Sequence, residues 1–262
     1  MTKIHPLSVV DPKAEIAEDV EIGPFCTVGP QVKIGQGCRL ISHVVVDGVT
    51  TIGARNTFYP FAAIGTLAQD VRSHPEDACL LIGDDNLFRE NTTAHVGTAK
   101  DVKLTTIGSR NWFLAGSHIA HDCVVGNDII MSNNVMLAGH VIVQDRAIIG
   151  GGVGILQFTH IGKGCMISGM SGVGRDVIPY GIVMNNALAG LNLVGLRRAG
   201  VENEVILNLQ KAYKDLFENK ELAFAERLAN VEADPAYKDN PLVQEVIEFL
   251  KNPSRNNVLQ PR

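Results

Sequence analysis

The sequence predicts an all-β left-handed parallel β-helix of hexapeptide repeats with a small C-terminal α-helical domain. Three observations carry that expectation. Large apolar residues recur every six positions, small residues hold fixed places within each hexad, and the pattern stops near a proline, beyond which charged helix formers take over. A six-residue period is incompatible with an amphipathic helix, whose apolar stripe returns every three or four residues. It matches a coil of short strands and turns that stacks on itself.

The first run comprises Ile16, Ile22, Val28, Ile34, Leu40, Val46, Ile52, Phe58 and Ile64. Glycine follows several of these residues, as at Gly23, Gly29, Gly35, Gly53 and Gly65, where the missing Cβ is expected to allow a sharp turn. The fifth position is small, and Cys26, Cys38, Cys123 and Cys165 all occupy it. Three hexads complete an 18-residue coil, so residues 18 apart should stack along the axis with positions one and five inward.

The polar stretch 66–81 leaves the repeat and is expected as an external loop replacing two sides of one coil. A second interruption, 97–106, shifts the frame by one and should project Lys100 and Lys103 outward. From Ile107 to Val173 twelve hexads give four coils, and Pro179 ends the ladder because it cannot donate to it. The first domain is thus placed at 1–184.

Residues 185–262 form a connector, Asn185 to Asn192, and a helical domain. Glu202 to Lys220 puts Val205, Leu209, Ala212, Leu216 and Phe217 on one face, and Glu221 to Val231 repeats the pattern. Asn240-Pro241 reads as an N-cap and first-turn proline for a last helix.

The 262 residues suffice for a substantial core, and the net charge of −5 disfavours a nucleic-acid partner. Five cysteines without a CxxC pair argue against both disulfides and a zinc knuckle, leaving buried, inert thiols. With no signal-like start and no apolar run of membrane-spanning length, a cytoplasmic protein without integral membrane association is expected.

The chemistry concentrates between Ser117 and His140. In the hexad frame His118, His121 and His140 all face away from the prism interior. His121 and His140, 19 residues apart, fall almost above one another on adjacent coils. An imidazole is a natural general base at neutral pH, and the neighbouring Asp122 would orient it. The Gly139 N–H is a candidate oxyanion donor. An alternative is a three-histidine zinc site built with a neighbouring chain. His5, His43, His74 and His95 stand apart from this constellation, though His95 is placed to flank a cleft. Flat outer faces suit packing of parallel prisms into a homotrimer with clefts between subunits.

The segments HIAHDCVVGN, LAGHVIV, IIGG, QF, GMSGV and NLVGLRRAG resemble the UDP-N-acetylglucosamine 3-O-acyltransferases of lipid A biosynthesis, and the likeness spans nearly the whole chain. The resemblance implies transfer of a 3-hydroxyacyl chain from acyl carrier protein to the sugar 3-hydroxyl, with no cofactor. It implies His121 as base, Asp122 as its carboxylate partner and Gly139 as oxyanion donor. Asp70, Arg72, His118, His140, Gln157, Asn192 and Arg198 would bind substrates, and Gly169 would set acyl length. Arg197, Arg198 or Lys163 would meet the acidic carrier.

The chain departs from the family pattern at several places. Leu156 stands where a histidine is usual, Arg72 where a lysine is, and Val96, Val194, Ala187 and Ala199 replace polar or charged residues. These departures motivate two rivals, a related enzyme that acylates an amine on a nucleotide amino sugar or uses acetyl-coenzyme A, and a non-catalytic binding paralogue; the histidine cluster adds a third, a zinc lyase.

Overall fold

The computed structural model describes residues 1–71, 78–99, 102–219 and 221–261. Short strands wind into a left-handed prism with three faces, which among the described residues hold eleven, nine and eight strands, parallel except for the last strand of the first face. The first face starts at Lys3–Ile4, the second at Val9–Val10 and the third at Glu15–Ile16. The 18-residue register holds as expected: Trp112, Ile130, Ile148 and Met166 align along the first face, and His118, Met136, Gly154 and Gly172 along the second.

Positions one and five do point inward. The core includes Ile22, Val28, Ile34 and Leu40 with Cys26, Val32, Cys38 and Val44, and Phe58, Phe88 and Phe113 stack in a column with ring centroids 4.8 Å apart. Burial pushes the thiols of Cys123 and Cys165 up to about 12, so they remain protonated packing groups. Position five also holds a polar ladder: the side-chain oxygens of Asn56, Asn86 and Asn111 accept from the backbone N–H of Asn86, Asn111 and Ile129 one coil on. A buried amide is tolerated there because each coil supplies its partner.

The turns differ from the sequence expectation. The left-handed backbone lies at position four of the hexad, where Asp19, Phe25, Arg55, Arg110, Asp122, Asp128, His140 and Phe158 all have φ between 52 and 67°. The glycine at position two answers a different constraint, the close approach of successive coils. A Cβ on Gly23 would lie 1.8 Å from the Ile41 carbonyl oxygen, and one on Gly35 2.4 Å from that of Gly53.

Both interruptions are insertions that replace no side of the prism. Ala63–Thr66 of the second face and Cys79–Ile82 of the third belong to one coil, and the latter strand pairs in register with Val49–Ile52. Strand residues extend into the stretches expected to be loops, at Thr66 and Cys79 in the first and at Leu104 in the second. Lys103 is exposed, whereas Lys100, His74 and Arg72 lie outside the described residues. Both loops leave from the corner between the second and third faces, one coil apart.

Within the connector, Ala187–Leu191 pairs with Gly181–Met184 in an antiparallel hairpin that continues the first face. Among the described residues four α-helices follow, α1 (Leu193–Arg198), α2 (Asn203–Phe217), α3 (Phe224–Ala233) and α4 (Pro241–Lys251). The α2 face buries Ile206 with Leu209, Ala212, Leu216 and Phe217, while Val205 is only partly covered. Asn240 caps α4, its side-chain oxygen accepting from the N–H groups of Leu242 and Val243. No helix among the described residues is long and apolar enough to cross a membrane.

The chain then returns to the prism. The buried Asp176 carboxylate accepts from the N–H and hydroxyl of Ser254 at 2.7 and 2.6 Å, and Val258 bridges to Asp176 in parallel. This tail therefore lies along the corner that carries the loops and the histidines.

Candidate active site

One corner of the prism positions the whole constellation. The chain turns from the second to the third face at His121-Asp122, again at Gly139-His140 one coil on, and again at Gln157-Phe158. At the first of these turns two adjacent side chains meet, the His121 Nδ1 lying 2.9 Å from an Asp122 carboxylate oxygen.

Residues 96–99, which follow the strand Thr93–His95, fold back over this pair. Thr98 donates its N–H to both carboxylate oxygens at 3.1 Å and its hydroxyl to one at 2.7 Å, leaving the Asp122 side chain fully buried. Gly97 permits the fold-back, since a Cβ there would lie 2.2 Å from the Leu104 nitrogen and 2.8 Å from the Asp122 carboxylate. His121 and Asp122 thus point away from the prism core, as expected, but are buried beneath the loop, which the hexad frame did not show.

With Nδ1 turned to the carboxylate, the imidazole keeps Nε2 for the adjoining cavity. That cavity has a volume of about 600 Å³ and is lined by His118, His121, Gly139, Gln157 and the unforeseen Gln69. Gly139 lies flat against the base: a Cβ on it would be 2.4 Å from the His121 Cε1. The local backbone bonds run from the His140 N–H to the His121 carbonyl and from the Phe158 N–H to the Gly139 carbonyl, and neither uses the Gly139 N–H. From His121 the cavity runs along the second face past Met136, Gly154 and Gly172, and a Cβ at either glycine would meet nothing within 4 Å. This is an open groove with apolar walls, one of which is Leu156, where the sequence departs from the family pattern.

The other histidines form a stack around the base. His140 meets the His121 ring edge-on at 5.1 Å between centroids and carries its Nε2 to 3.8 Å from the Asp122 carboxylate. The His140 ring also stacks on Phe158 at 4.6 Å. His140 therefore stands behind the base and is not part of the cavity wall. His118 bonds the Thr93 hydroxyl through Nδ1 at 2.7 Å and meets buried His95 at 4.8 Å. Burial, then the positive form of His118, pushes His95 down to about 4, and burial likewise lowers His118. Both rings are held neutral near pH 7.

The remaining sequence-derived residues are scattered. Asp70 is partly buried in the first loop beside Gln69, and Arg72 is outside the described residues. Asn192 is the N-cap of α1, accepting from the Gly195 N–H and donating to the Gly164 carbonyl. Arg198 is exposed in the last turn of α1. Gly169 is exposed at the corner between the first and second faces, off the cavity. Lys163 is engaged with Glu245 at 2.5 Å, so its charge is already matched.

His121, Asp122 and His140 also place one ligand atom each within 4.8 Å of one another. The Asp122 oxygens, however, already accept from Thr98 and contact the base, an arrangement suited to orienting a ring. Thr98 and Phe158 carried legible signals that went unused: Phe158 follows His140 by 18 residues, and Thr98 lies in a loop anchored one coil from Asp122.

A stacked-hexad prism with a carboxylate-held imidazole at the mouth of an apolar groove defines a hexapeptide-repeat acyltransferase. A profile described as UDP N-acetylglucosamine O-acyltransferase, domain 2, matches residues 176–258. An acyl-[acyl-carrier-protein]–UDP-N-acetylglucosamine O-acyltransferase of Sinorhizobium fredii is 47% identical over 99% of this chain and 96% of its own length. One from Thermodesulfovibrio yellowstonii is 45% identical over 96% of each. The LpxA structure from Acinetobacter baumannii superimposes with a TM-score of 0.93 at 41% identity, covering 97% of this chain and 99% of its own. The chain belongs to the acyl-[acyl-carrier-protein]–UDP-N-acetylglucosamine O-acyltransferase family.

Proposed function

We propose that this protein transfers a 3-hydroxyacyl chain from acyl carrier protein to the 3-hydroxyl of UDP-N-acetylglucosamine, an early step of lipid A biosynthesis. The observation that carries the mechanism is the His121 imidazole, tied through Nδ1 to a fully buried Asp122 and facing an apolar groove through its other nitrogen. The sugar hydroxyl gives its proton to His121 Nε2 as its oxygen attacks the thioester carbonyl. Asp122 fixes the tautomer and stabilises the imidazolium. The Gly139 N–H donates to the tetrahedral oxyanion, and the proton passes from His121 to the departing thiolate as the intermediate collapses. A positioned base contributes about 10²–10⁴-fold.

The groove past Gly154 and Gly172 would hold the acyl chain. Gln157, His118, Asp70 and Arg72 would bind the sugar side, with His140 contributing from behind the base. Asn192, Arg198 and Gly169 lie off the cavity of their own chain, which supports a homotrimer in which a neighbour supplies them. The exposed stripe Trp112, Ile130, Ile148 and Met166 is the kind of flat apolar face that a second copy covers. The acidic carrier would meet Arg197 and Arg198 in the last turn of α1. The reaction as written needs no metal or other cofactor, and the setting is cytoplasmic.

The test is a donor and acceptor panel with purified protein before and after exhaustive chelation, with His121→Ala alongside. Hydroxyacyl transfer to UDP-N-acetylglucosamine should dominate, survive chelation and fall by at least 100-fold in the variant. Preferred acetyl transfer, or near-parental turnover by His121→Ala, would sink the proposal. Sedimentation should give three times the monomer mass.

A further inference from the structure

We propose that Arg255, on the C-terminal tail, is a positioning residue for this reaction, clamping Phe158 onto His140 and so fixing the ring stack behind the base. The inference rests on His121 being that base. The Arg255 guanidinium lies over the Phe158 ring, 4.4 Å from its centroid. Phe158 in turn stacks almost parallel to His140, at 13° and 4.6 Å, and His140 meets His121 edge-on. Three contacts thus link a residue near the chain terminus to the proton-accepting ring.

The placement of Arg255 is not that of a free surface side chain. On one side Ser254 is tied by two bonds to the buried carboxylate of Asp176. On the other, Asn256 donates to the Gln157 carbonyl at 2.6 Å and the Thr159 hydroxyl at 3.1 Å, the residues flanking Phe158. Both neighbours of Arg255 are therefore fixed to the prism, Asn256 through its amide to the residues flanking Phe158 and Ser254 to Asp176 one coil on. Phe158 itself has the left-handed backbone of position four, φ 64°, which turns its ring out of the prism corner. Its ring fills the space between a cation and an imidazole, and the π face attracts the former while stacking with the latter. Arg255 does not line the cavity, so it acts through these rings and not on substrate.

The experiment uses the intact chain with Arg255→Ala, Arg255→Lys, Phe158→Asn and the Ala/Asn double variant; asparagine keeps the left-handed turn without the ring. For Arg255→Ala, kcat should fall about two- to fivefold, the factor an exposed cation–π contact represents. The KM values for carrier and sugar nucleotide should stay within twofold. The ring-proton resonance of His140 should move as Phe158 shifts, while that of His118 stays in place. Lys should recover at least half the loss, and the double variant should be no slower than Phe158→Asn alone.

An unchanged kcat with an unmoved His140 resonance would overturn the proposal. So would a raised carrier KM at constant kcat, because Arg255 would then touch the donor directly, and so would additive losses in the double variant. Near-parental turnover by His121→Ala would instead remove the base assignment. The His140 resonance in Arg255→Ala would then still report on the clamp.

Discussion

Gly139→Ala isolates the geometry of the base. The added Cβ would stand 2.4 Å from His121 Cε1 and 2.6 Å from Nε2, whereas ordinary contact begins at 3.4 Å, so the ring must retreat by about 1 Å. It cannot do so freely, because Nδ1 is held to a carboxylate that Thr98 anchors with three hydrogen bonds. A displacement of that size at a reacting group costs about 100-fold in rate. The backbone at Gly139 is outside the left-handed region, so alanine adds no conformational strain of its own. The assay is kcat at saturating acyl carrier donor and UDP-N-acetylglucosamine, with thermal unfolding followed in parallel. A roughly 100-fold loss with a melting temperature within a few degrees of parental is expected. A kcat within threefold of parental would refute both the contact and the role assigned to the ring.

Three further outcomes follow from the geometry. Thr98→Val removes the 2.7 Å hydroxyl bond to the buried Asp122 while keeping volume, and should destabilise the protein by about 1.5–3 kcal/mol in denaturant unfolding, with a larger proportional loss in kcat than in KM. Gly154→Ala places a methyl in open space within the groove, so stability should hold while the KM for a long-chain donor rises more than that for a short one. His95 titrates at about 4 in the folded chain against about 6.5 unfolded, so the unfolded state takes up its proton first as pH falls. Its contribution is fully present above about 6.5 and is lost down to about 4. His95→Gln should flatten the decline in stability across that window by up to about 3 kcal/mol, measured by chemical unfolding at a series of pH values.

The prism was legible in the sequence because a six-residue period leaves few ways to bury one apolar residue per turn. Even the relation between His121 and His140 followed from counting. What the period concealed was everything supplied from outside it. The burial of Asp122 comes from a loop whose anchor, Thr98, belongs to no hexad. The contact with Arg255 spans nearly a hundred residues of chain and has no local signature. The turn residues were misread for a physical reason: glycine marks close coil-to-coil approach as well as positive φ, and here the first requirement dominates at position two. Asn192 shows the opposite limit, since its side chain visibly caps a helix and its proposed contact with nucleotide depends on a neighbouring chain.

The left-handed corner has a consequence for how this active site can change over time. Asp122, His140 and Phe158 each occupy position four of their hexads, where the fold favours glycine, asparagine or aspartate and a bulky side chain costs about 1–2 kcal/mol. Winding and chemistry therefore compete at His140 and Phe158, while aspartate at Asp122 serves both. Drift toward glycine or asparagine at His140 or Phe158 would ease the fold while dissolving the ring stack, so selection on stability alone would erode catalysis. A copy of this gene released from its reaction should lose those rings first and keep its prism intact.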